Sequence, residues 1–189
     1  MRKLFIIFLI LNSPAFSQEV GKAYFAGGCF WCMEESFEKK IGVIEVISGY
    51  SGGKTKNPTY EEVTYGNTGH FETVEIIYDK NKVSFKSLLD HFWVNIDPFD
   101  EYGQFCDRGY SYRSVAFFQN EEEKKMITQS IKELEIKFNK KIVTYVKKFE
   151  QFFIGEEIHQ DYYKIKFVNY LRYKKACGRE ETLKRIWSQ

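Results

Sequence analysis

The chain has no long hydrophobic run and no excess of charge of one sign. The apolar run at positions 4–11 has eight residues, well short of the ~20 that a bilayer-spanning helix requires. Lysine and arginine together number 28 against 26 acidic residues, and without Arg2 and Lys3 there are 26 of each. A balanced surface argues against nucleic acid or an anionic membrane as a partner, since both select a basic face.

Cysteine and histidine are also scarce, with four and three residues in the whole chain. A structural zinc site draws its ligands as two close pairs, and here Cys29 and Cys32 form the one close pair. The sequence therefore predicts no metal site and no other cofactor. The remaining cysteines and histidines show no ligand spacing: Cys106, Cys177, His70, His91 and His159.

The first residues have the features of a secretory signal. Arg2 and Lys3 precede the short apolar run, and small residues follow at Ala15 and Ser17. We expect a signal peptide over residues 1–17, cleaved after Ser17, and hence a periplasmic or secreted protein. An uncleaved N-terminal anchor is the alternative.

Residue patterns predict one α+β domain over residues 18–189. Short apolar or alternating segments indicate strands, and apolar residues spaced by three and four indicate helices. Strands are expected at 22–26, 43–50, 71–78, 113–118 and 142–149. Helices are expected at 30–40, from the cap Ser84 to 93, from the cap Asn120 with Glu123 to 138, and in pieces after 155. The glycine-containing stretches 52–70 and 97–111 are expected to be long functional loops.

The segment GGCFWC at 27–32 places Cys29 at the turn between the first strand and the first helix. A helix N-terminus favours a thiolate, so the sequence predicts a reactive thiol there. One possibility is a thioredoxin-like dithiol formed by Cys29 and Cys32. The other is a nucleophile that attacks a different electrophile, with Phe30 and Trp31 as an aromatic wall suited to a methyl or thioether group.

The same segment resembles the active site of the type A peptide methionine sulfoxide reductases, in which the motif is usually GCFW. Further segments follow in the family's order over residues 21–187, and their combined match makes coincidence very improbable. These segments are GYSGG at 49–53, NPTYEEV at 57–63, TGHFETVEIIYD at 68–79, GQFCDRGYSYRS at 103–114, HQDYY at 159–163 and ACGREETLKRIW at 176–187.

The resemblance implies reduction of methionine S-sulfoxide, free or in proteins, to methionine. By that resemblance Cys29 is the nucleophile and Glu72 the proton donor, which must stay protonated in an apolar place. The remaining matched residues would bind substrate. Phe30 and Trp31 would enclose the methyl group, Tyr60 and Tyr112 would orient the sulfoxide oxygen, and Asp107 would fix the polar network.

Oxygen transfer would leave Cys29 as a sulfenic acid, which a second thiol converts to a disulfide. Cys177 is the first candidate, because a mobile tail could reach the site. Cys32 is the second, since a thiol that points into the core could not reach Cys29 without unwinding the helix. Cys106 is expected to be a packed, inert thiol, and His70 and His159 are expected to be structural.

The sequence thus predicts a thioredoxin-dependent oxidoreductase that repairs oxidised proteins. We expect a mixed sheet flanked by helices, with a ferredoxin-like two-layer core, acting as a monomer. The reductant would be thioredoxin or a thioredoxin-fold protein, supplied in an oxidising compartment by a membrane thiol relay. Two alternatives stay open: a disulfide oxidoreductase using Cys29 and Cys32, and a non-catalytic domain with a structural cysteine cluster.

Overall fold

The computed structural model describes residues 19–188, so the predicted signal peptide and its cleavage site lie outside the described residues. Two short 3-10 turns, at Tyr110–Tyr112 and Glu157–His159, adjoin the regular elements. The strands are β1 Val20–Ala26, β2 Val43–Ser51, β3 Phe71–Asp79, β4 Gly103–Gln104, β5 Asp107–Arg108, β6 Val115–Phe118, β7 Tyr145–Lys148 and β8 Phe152–Ile154. The helices are α1 Phe30–Glu38, α2 Tyr60–Tyr65, α3 Phe85–Trp93, α4 Glu121–Phe138, α5 Tyr162–Ile165, α6 Phe167–Cys177 and α7 Arg179–Trp187.

Six strands form a mixed sheet in the order β7-β6-β1-β3-β2-β8. Its pairs are antiparallel except for β6 with β7, which run parallel. The units β1-α1-β2 and β3-α3-β6 interleave, so the four central strands have the order of a split βαβ, or ferredoxin-like, core. The predicted mixed sheet flanked by helices is confirmed.

The main core lies between the sheet and helices α1, α3 and α4. Strand side chains alternate between the two faces, so Phe25 packs against the helices while Tyr24 and Ala26 face the other side. Phe25 stacks on Phe37 of α1 and Phe92 of α3, with ring centroids 5.7 and 4.7 Å apart. This packing fixes α1, and therefore its first turn, against the middle of the sheet.

Capping residues begin the helices where the sequence predicts. The Ser84 hydroxyl accepts a hydrogen bond from the backbone N–H of Ser87 at 3.2 Å, and the Asn120 side chain accepts one from Glu123 at 2.9 Å. The Glu123 carboxylate returns the contact to the backbone N–H of Gln119, one residue before the cap. Each side chain satisfies a backbone donor that the first helical turn leaves free.

The expectation that residues 52–70 have no regular structure is wrong in one place, because they contain α2. Thr59 begins this helix with a complete capping box, in which Thr59 and Glu62 each accept from the other's backbone N–H. The Thr-x-x-Glu pattern could have revealed the helix. Six residues are too few to show apolar periodicity.

Within residues 19–188, no helix has the length and hydropathy needed to cross a bilayer.

Candidate active site

Cys29 lies at the N-terminal cap of α1, directly after β1 and two glycines. Gly28 has a φ of +79°, and a Cβ there would lie 2.5 Å from the Cβ of Gln104. Glycine is therefore required at this turn for both conformation and space. The Cys29 carbonyl accepts from the backbone N–H of Met33 at 3.3 Å, so α1 holds the residue in place.

The Cys29 side chain faces a small cavity of about 70 Å³. This volume suits a group as small as a methyl sulfoxide better than a bulky ligand. The structure brings together all seven residues assigned above as catalytic or substrate-binding, although they come from four separate segments, and it adds Tyr173 of α6. The lining residues are Cys29, Phe30, Trp31, Tyr60, Glu72, Asp107, Tyr112 and Tyr173.

Glu72 reaches the cavity from β3, and its side chain is 2% exposed. Its carboxyl accepts the backbone N–H of Phe30, in the first turn of α1, at 3.0 Å. Burial raises the pKa of Glu72 well above its ordinary value, and the nearby charge of Asp107 acts in the same direction. The hydrogen bond from Phe30 opposes this shift without cancelling it. Glu72 is thus a carboxylic acid that can stay protonated near neutral pH.

Tyr60 and Tyr112 place two hydroxyls beside Glu72. All three residues line the same cavity. Burial raises the pKa of both phenols, so they are neutral donors. The exposed Glu156 holds the start of α2, because its carboxylate accepts the Tyr60 backbone N–H at 2.6 Å and the Tyr50 hydroxyl at 2.7 Å.

Phe30 and Trp31 form an aromatic wall, but they are buried to different degrees. Phe30 is 1% exposed within the core, whereas Trp31 is half-buried at the cavity. Trp31 stacks on Tyr162 of α5 with ring centroids 3.9 Å apart. This difference agrees with the directions that adjacent helical residues take.

Asp107 enters the cavity from β5 and accepts a hydrogen bond from the Tyr173 hydroxyl at 2.5 Å. Burial raises the pKa of Asp107, while the Tyr173 hydrogen bond and the nearby Arg179 charge oppose that shift. Tyr173 and Arg179 were missed by the sequence analysis. They lie in polar, aromatic C-terminal helices whose periodicity gives no sign that they face a cavity.

Cys32 lies in the same packed cluster of buried side chains as Cys29, together with Tyr170. Each cysteine is 4% exposed. Burial raises the pKa of Cys29 well above its ordinary value, and its neighbour Cys32 adds to this. The neighbouring Cys29 thiol lowers the pKa of Cys32 to about 7 against the effect of burial. Which thiol resolves the Cys29 sulfenic acid stays a prediction.

The other two cysteines form a disulfide, Cys106–Cys177, between positions 71 residues apart. The prediction of a packed, inert Cys106 is wrong, since this residue is exposed and cross-linked. Cys177 is the last residue of α6, which is followed directly by α7, so it does not lie on a mobile tail. The bond fastens the loop that carries Asp107 to the helix that carries Tyr173.

Neither His70 nor His159 contacts the reacting groups. His70 precedes β3, accepts the backbone N–H of Gly53 at 3.1 Å and contacts the Thr55 carbonyl at 2.8 Å, so its structural role is clear. His159 packs its ring against Phe30 and Tyr60, and its Nδ1 has no hydrogen-bond partner among residues 19–188. His159 supports the wall by ring contact, and its Nε2 lies 4.0 Å from the Glu156 carboxylate.

A buried thiol pair beside a buried carboxyl whose pKa is raised defines the class of protein as a thiol-dependent oxidoreductase. Comparison with known proteins identifies the family. A family model described as peptide methionine sulfoxide reductase matches residues 21–189. Peptide methionine sulfoxide reductase MsrA of Listeria monocytogenes serotype 4b is 45% identical over 172 residues, which cover 90% of this chain and 97% of the relative.

Solved structures of methionine sulfoxide reductases also match the fold of this chain. Methionine sulfoxide reductase A of Corynebacterium diphtheriae matches with a TM-score of 0.69 and 27% identity, covering 80% of this chain and 76% of that one. Reduced Mxr1 from Saccharomyces cerevisiae matches with a TM-score of 0.73 and 26% identity, covering 81% and 87%. The chain belongs to the peptide methionine sulfoxide reductase family and reduces methionine sulfoxide, which confirms the predicted family and reaction.

Proposed function

We propose that this enzyme reduces the S epimer of methionine sulfoxide, free or in oxidised proteins, with Cys29 as nucleophile and Glu72 as acid. One observation carries the proposal: the same small cavity contains a buried thiol and a carboxyl that burial keeps protonated. Reduction of a sulfoxide needs both, because its oxygen leaves poorly unless it is protonated. The aromatic side chains of Phe30 and Trp31 would hold the methyl group.

In the first step the Cys29 sulfur attacks the sulfoxide sulfur while Glu72 protonates the oxygen. Tyr60 and Tyr112 donate hydrogen bonds to that oxygen, and Asp107 with Tyr173 orders the polar side of the cavity. This attack forms a bond between the two sulfurs. The oxygen then moves from the methionine sulfur to Cys29 as that bond breaks, which leaves Cys29 as a sulfenic acid and releases the thioether of methionine. The thiol proton of Cys29 replaces the one that Glu72 gives, so the protons balance. The methionine sulfur gains two electrons and Cys29 loses them.

In the second step Cys32 attacks the Cys29 sulfenic acid, and the hydroxide leaves as water. We prefer Cys32 to Cys177, which reverses the preference from the sequence. Cys32 is free, contacts Cys29 and has a pKa of about 7, whereas Cys177 is bonded to Cys106. Cys177 could take part only after that bond is reduced.

An external dithiol must then return two electrons to the Cys29–Cys32 disulfide. Thioredoxin or another thioredoxin-fold reductant fits this requirement, and repair of oxidised proteins is the role that follows. A monomer suffices, because one chain supplies every residue that lines the cavity.

Export to the periplasm or the medium is part of the proposal and is supported by the signal-like residues 1–17. N-terminal sequencing of the exported enzyme should begin at Gln18. A mature protein that begins at Met1 would exclude cleavage.

The decisive test uses equal amounts of the S and R epimers of a blocked methionine sulfoxide with excess dithiothreitol. Chiral separation should show that the wild-type enzyme consumes the S epimer alone and that Cys29→Ser consumes neither. The contact between Cys29 and Cys32 also favours a second candidate, general dithiol exchange. Reduction of a disulfide substrate without consumption of either epimer would establish that candidate instead.

A further inference from the structure

Arg179 is a buried cation that the mechanism above does not use. It is 4% exposed at the first position of α7. Within residues 19–188, no carboxylate oxygen lies within the 4.0 Å of an ion pair with its guanidinium. Burying an unpaired charge is costly, so the groups around Arg179 must compensate for it.

Uncharged acceptors take hydrogen bonds from some of the N–H groups of the Arg179 guanidinium. It donates to the Asn95 carbonyl at 2.6 Å, to the Met33 sulfur at 3.2 Å and to the Gly27 carbonyl at 3.4 Å. It also lies over the Phe105 ring, 4.5 Å from the ring centroid. These contacts fix the position of the charge beside the turn that carries Cys29, but they do not neutralise it.

Stabilisation of α7 does not explain why a positive charge lies at position 179. A positive charge at a helix N-terminus opposes the helix dipole, and α7 already has Glu180 and Glu181 in its first turn. The Arg179 charge instead lowers the pKa of Asp107, which lines the cavity, and of Cys32, which lies buried beside it. Both groups gain from a cation that solvent cannot screen.

We propose that Arg179 is a positioning residue for the resolving step, whose buried charge holds Cys32 as the thiolate that attacks the Cys29 sulfenic acid. This inference rests on the proposed role of Cys32. The attack forms the Cys29–Cys32 bond and releases hydroxide, which takes a proton and leaves as water. Arg179 exchanges no proton or electron in this step.

Groups other than Arg179 also change the pKa of Cys32. The neighbouring Cys29 thiol is the largest influence that lowers the Cys32 pKa, and the Tyr170 hydroxyl of α6 also lowers it. The charge of Asp107 raises it. The titratable and charged groups that face Cys32 are Cys29 of α1, Glu72 of β3, Asp107 of β5, Tyr170 and Tyr173 of α6, and Arg179 of α7.

An equilibrium titration tests the inference without catalysis. In a Cys29→Ser background with the Cys106–Cys177 bond intact, Cys32 is the one free thiol, and thiolate absorbance at 240 nm reports its ionisation. Arg179→Gln should move the midpoint to higher pH, and Arg179→Lys, which keeps the charge, should leave it at the parent value. Arg172→Gln, the same change at an exposed position of α6, should leave it unmoved.

A single-turnover experiment with otherwise wild-type enzyme separates this inference from the proposed function. One equivalent of sulfoxide is added without reductant, and methionine and the Cys29–Cys32 disulfide are followed over time by mass spectrometry. Arg179→Gln should still form methionine but should form the disulfide roughly three- to tenfold more slowly at pH 7, and recover at higher pH. Loss of methionine formation in the wild type would instead refute the proposed function.

Equal Cys32 midpoints in Arg179→Gln and the parent would overturn the inference. So would identical behaviour of the Lys and Gln variants, which would make Arg179 a structural anchor for the Gly27 turn. If Arg179→Gln does not fold, Arg179→Met in the same titration supplies the uncharged comparison. If neither uncharged variant folds, Arg179→Lys is the deciding variant, because it keeps the positive charge but loses the guanidinium hydrogen bonds. The pH midpoint of disulfide formation should then stay at the wild-type value. A raised midpoint would refute the proposed role of the Arg179 charge.

Discussion

The molecule contains two cysteine pairs that differ in every respect that matters for chemistry. Cys29 and Cys32 are buried, reduced and packed in one cluster at the start of α1. Cys106 and Cys177 are joined in a disulfide, with Cys106 exposed. The difference shows that two cysteines become reactive when they lie at a helix start beside a buried carboxyl. The second pair acts as a cross-link between two segments that line the same cavity.

The two pairs are not independent, because they share neighbours. Asp107 follows Cys106 and accepts from Tyr173, which lies one turn before Cys177 on α6. Tyr170 of the same helix contacts Cys32. The outer pair, Cys106 and Cys177, therefore holds in place residues that surround the inner pair, Cys29 and Cys32.

The largest expected effect comes from removing one inner thiol at a time. Cys29→Ser should reduce activity by on the order of a thousandfold or more, because the nucleophile is lost. Cys32→Ser should still form one methionine per enzyme in the first turnover and then stop under a thioredoxin-type reductant. Counting methionine per enzyme distinguishes these results. A first turnover lost in Cys32→Ser would mean that the two thiols do not have separate roles.

Glu72→Gln should slow the first turnover by roughly a hundredfold, since the amide cannot donate an acidic proton. Burial raises the pKa of Glu72, so the wild-type rate should fall as pH rises through that value, and the variant should lack this fall. Glu75→Gln on the same strand is the matched control. Its carboxylate contacts Lys22 and Tyr24 instead of the cavity, so its first-turnover rate should match the wild type.

Removing the outer pair with Cys106→Ser/Cys177→Ser should affect stability more than chemistry. A disulfide that closes a loop of this length contributes roughly 4 kcal/mol to the free energy of unfolding by the loop-entropy relation. Denaturant unfolding measures that loss, while the first-turnover rate should fall less than tenfold. A first turnover lost together with the bond would place the outer pair in the chemistry itself.

The smallest effect concerns Glu34, two residues after Cys32 and 1% exposed. Its carboxyl accepts from the Ser48 hydroxyl at 3.1 Å and the Asp161 backbone N–H at 3.0 Å, and burial raises its pKa from 4.5 to about 7. The folded state therefore retains a proton that the unfolded state has lost over this pH window. Stability should decrease from pH 4.5 to 7 by at most about 3 kcal/mol and then level off.

Glu34→Gln should remove this part of the pH dependence. The measurement is the free energy of unfolding in denaturant at several pH values between 4 and 8. An unchanged slope in the variant would mean that another group is responsible.

Local patterns were sufficient to predict most strands and helices, because each has its own apolar period or cap. The phenylalanines of β1, α1 and α3 follow those periods and meet in the core. The resemblance to a known family supplied the cavity residues, which no spacing rule could have assembled from four segments.

Three features could not be predicted in this way, and all depend on tertiary contact. The pairing of Cys106 with Cys177 follows from where α6 ends, and the contact between Cys29 and Cys32 follows from side-chain direction in the first helical turn. Tyr173 and Arg179 belong to polar helices that show no strong apolar face in sequence. Their roles become visible once α6 and α7 lie against α1 and the loop that carries Asp107.

The most direct test of the account is a map of disulfides after a single turnover. Enzyme that has consumed one equivalent of methionine S-sulfoxide without reductant is alkylated, digested and analysed by mass spectrometry. We expect a new Cys29–Cys32 bond with the Cys106–Cys177 bond unchanged. A bond from Cys29 to Cys106 or Cys177 would contradict the separation of the two pairs, and it would make the outer cysteines the resolving thiols.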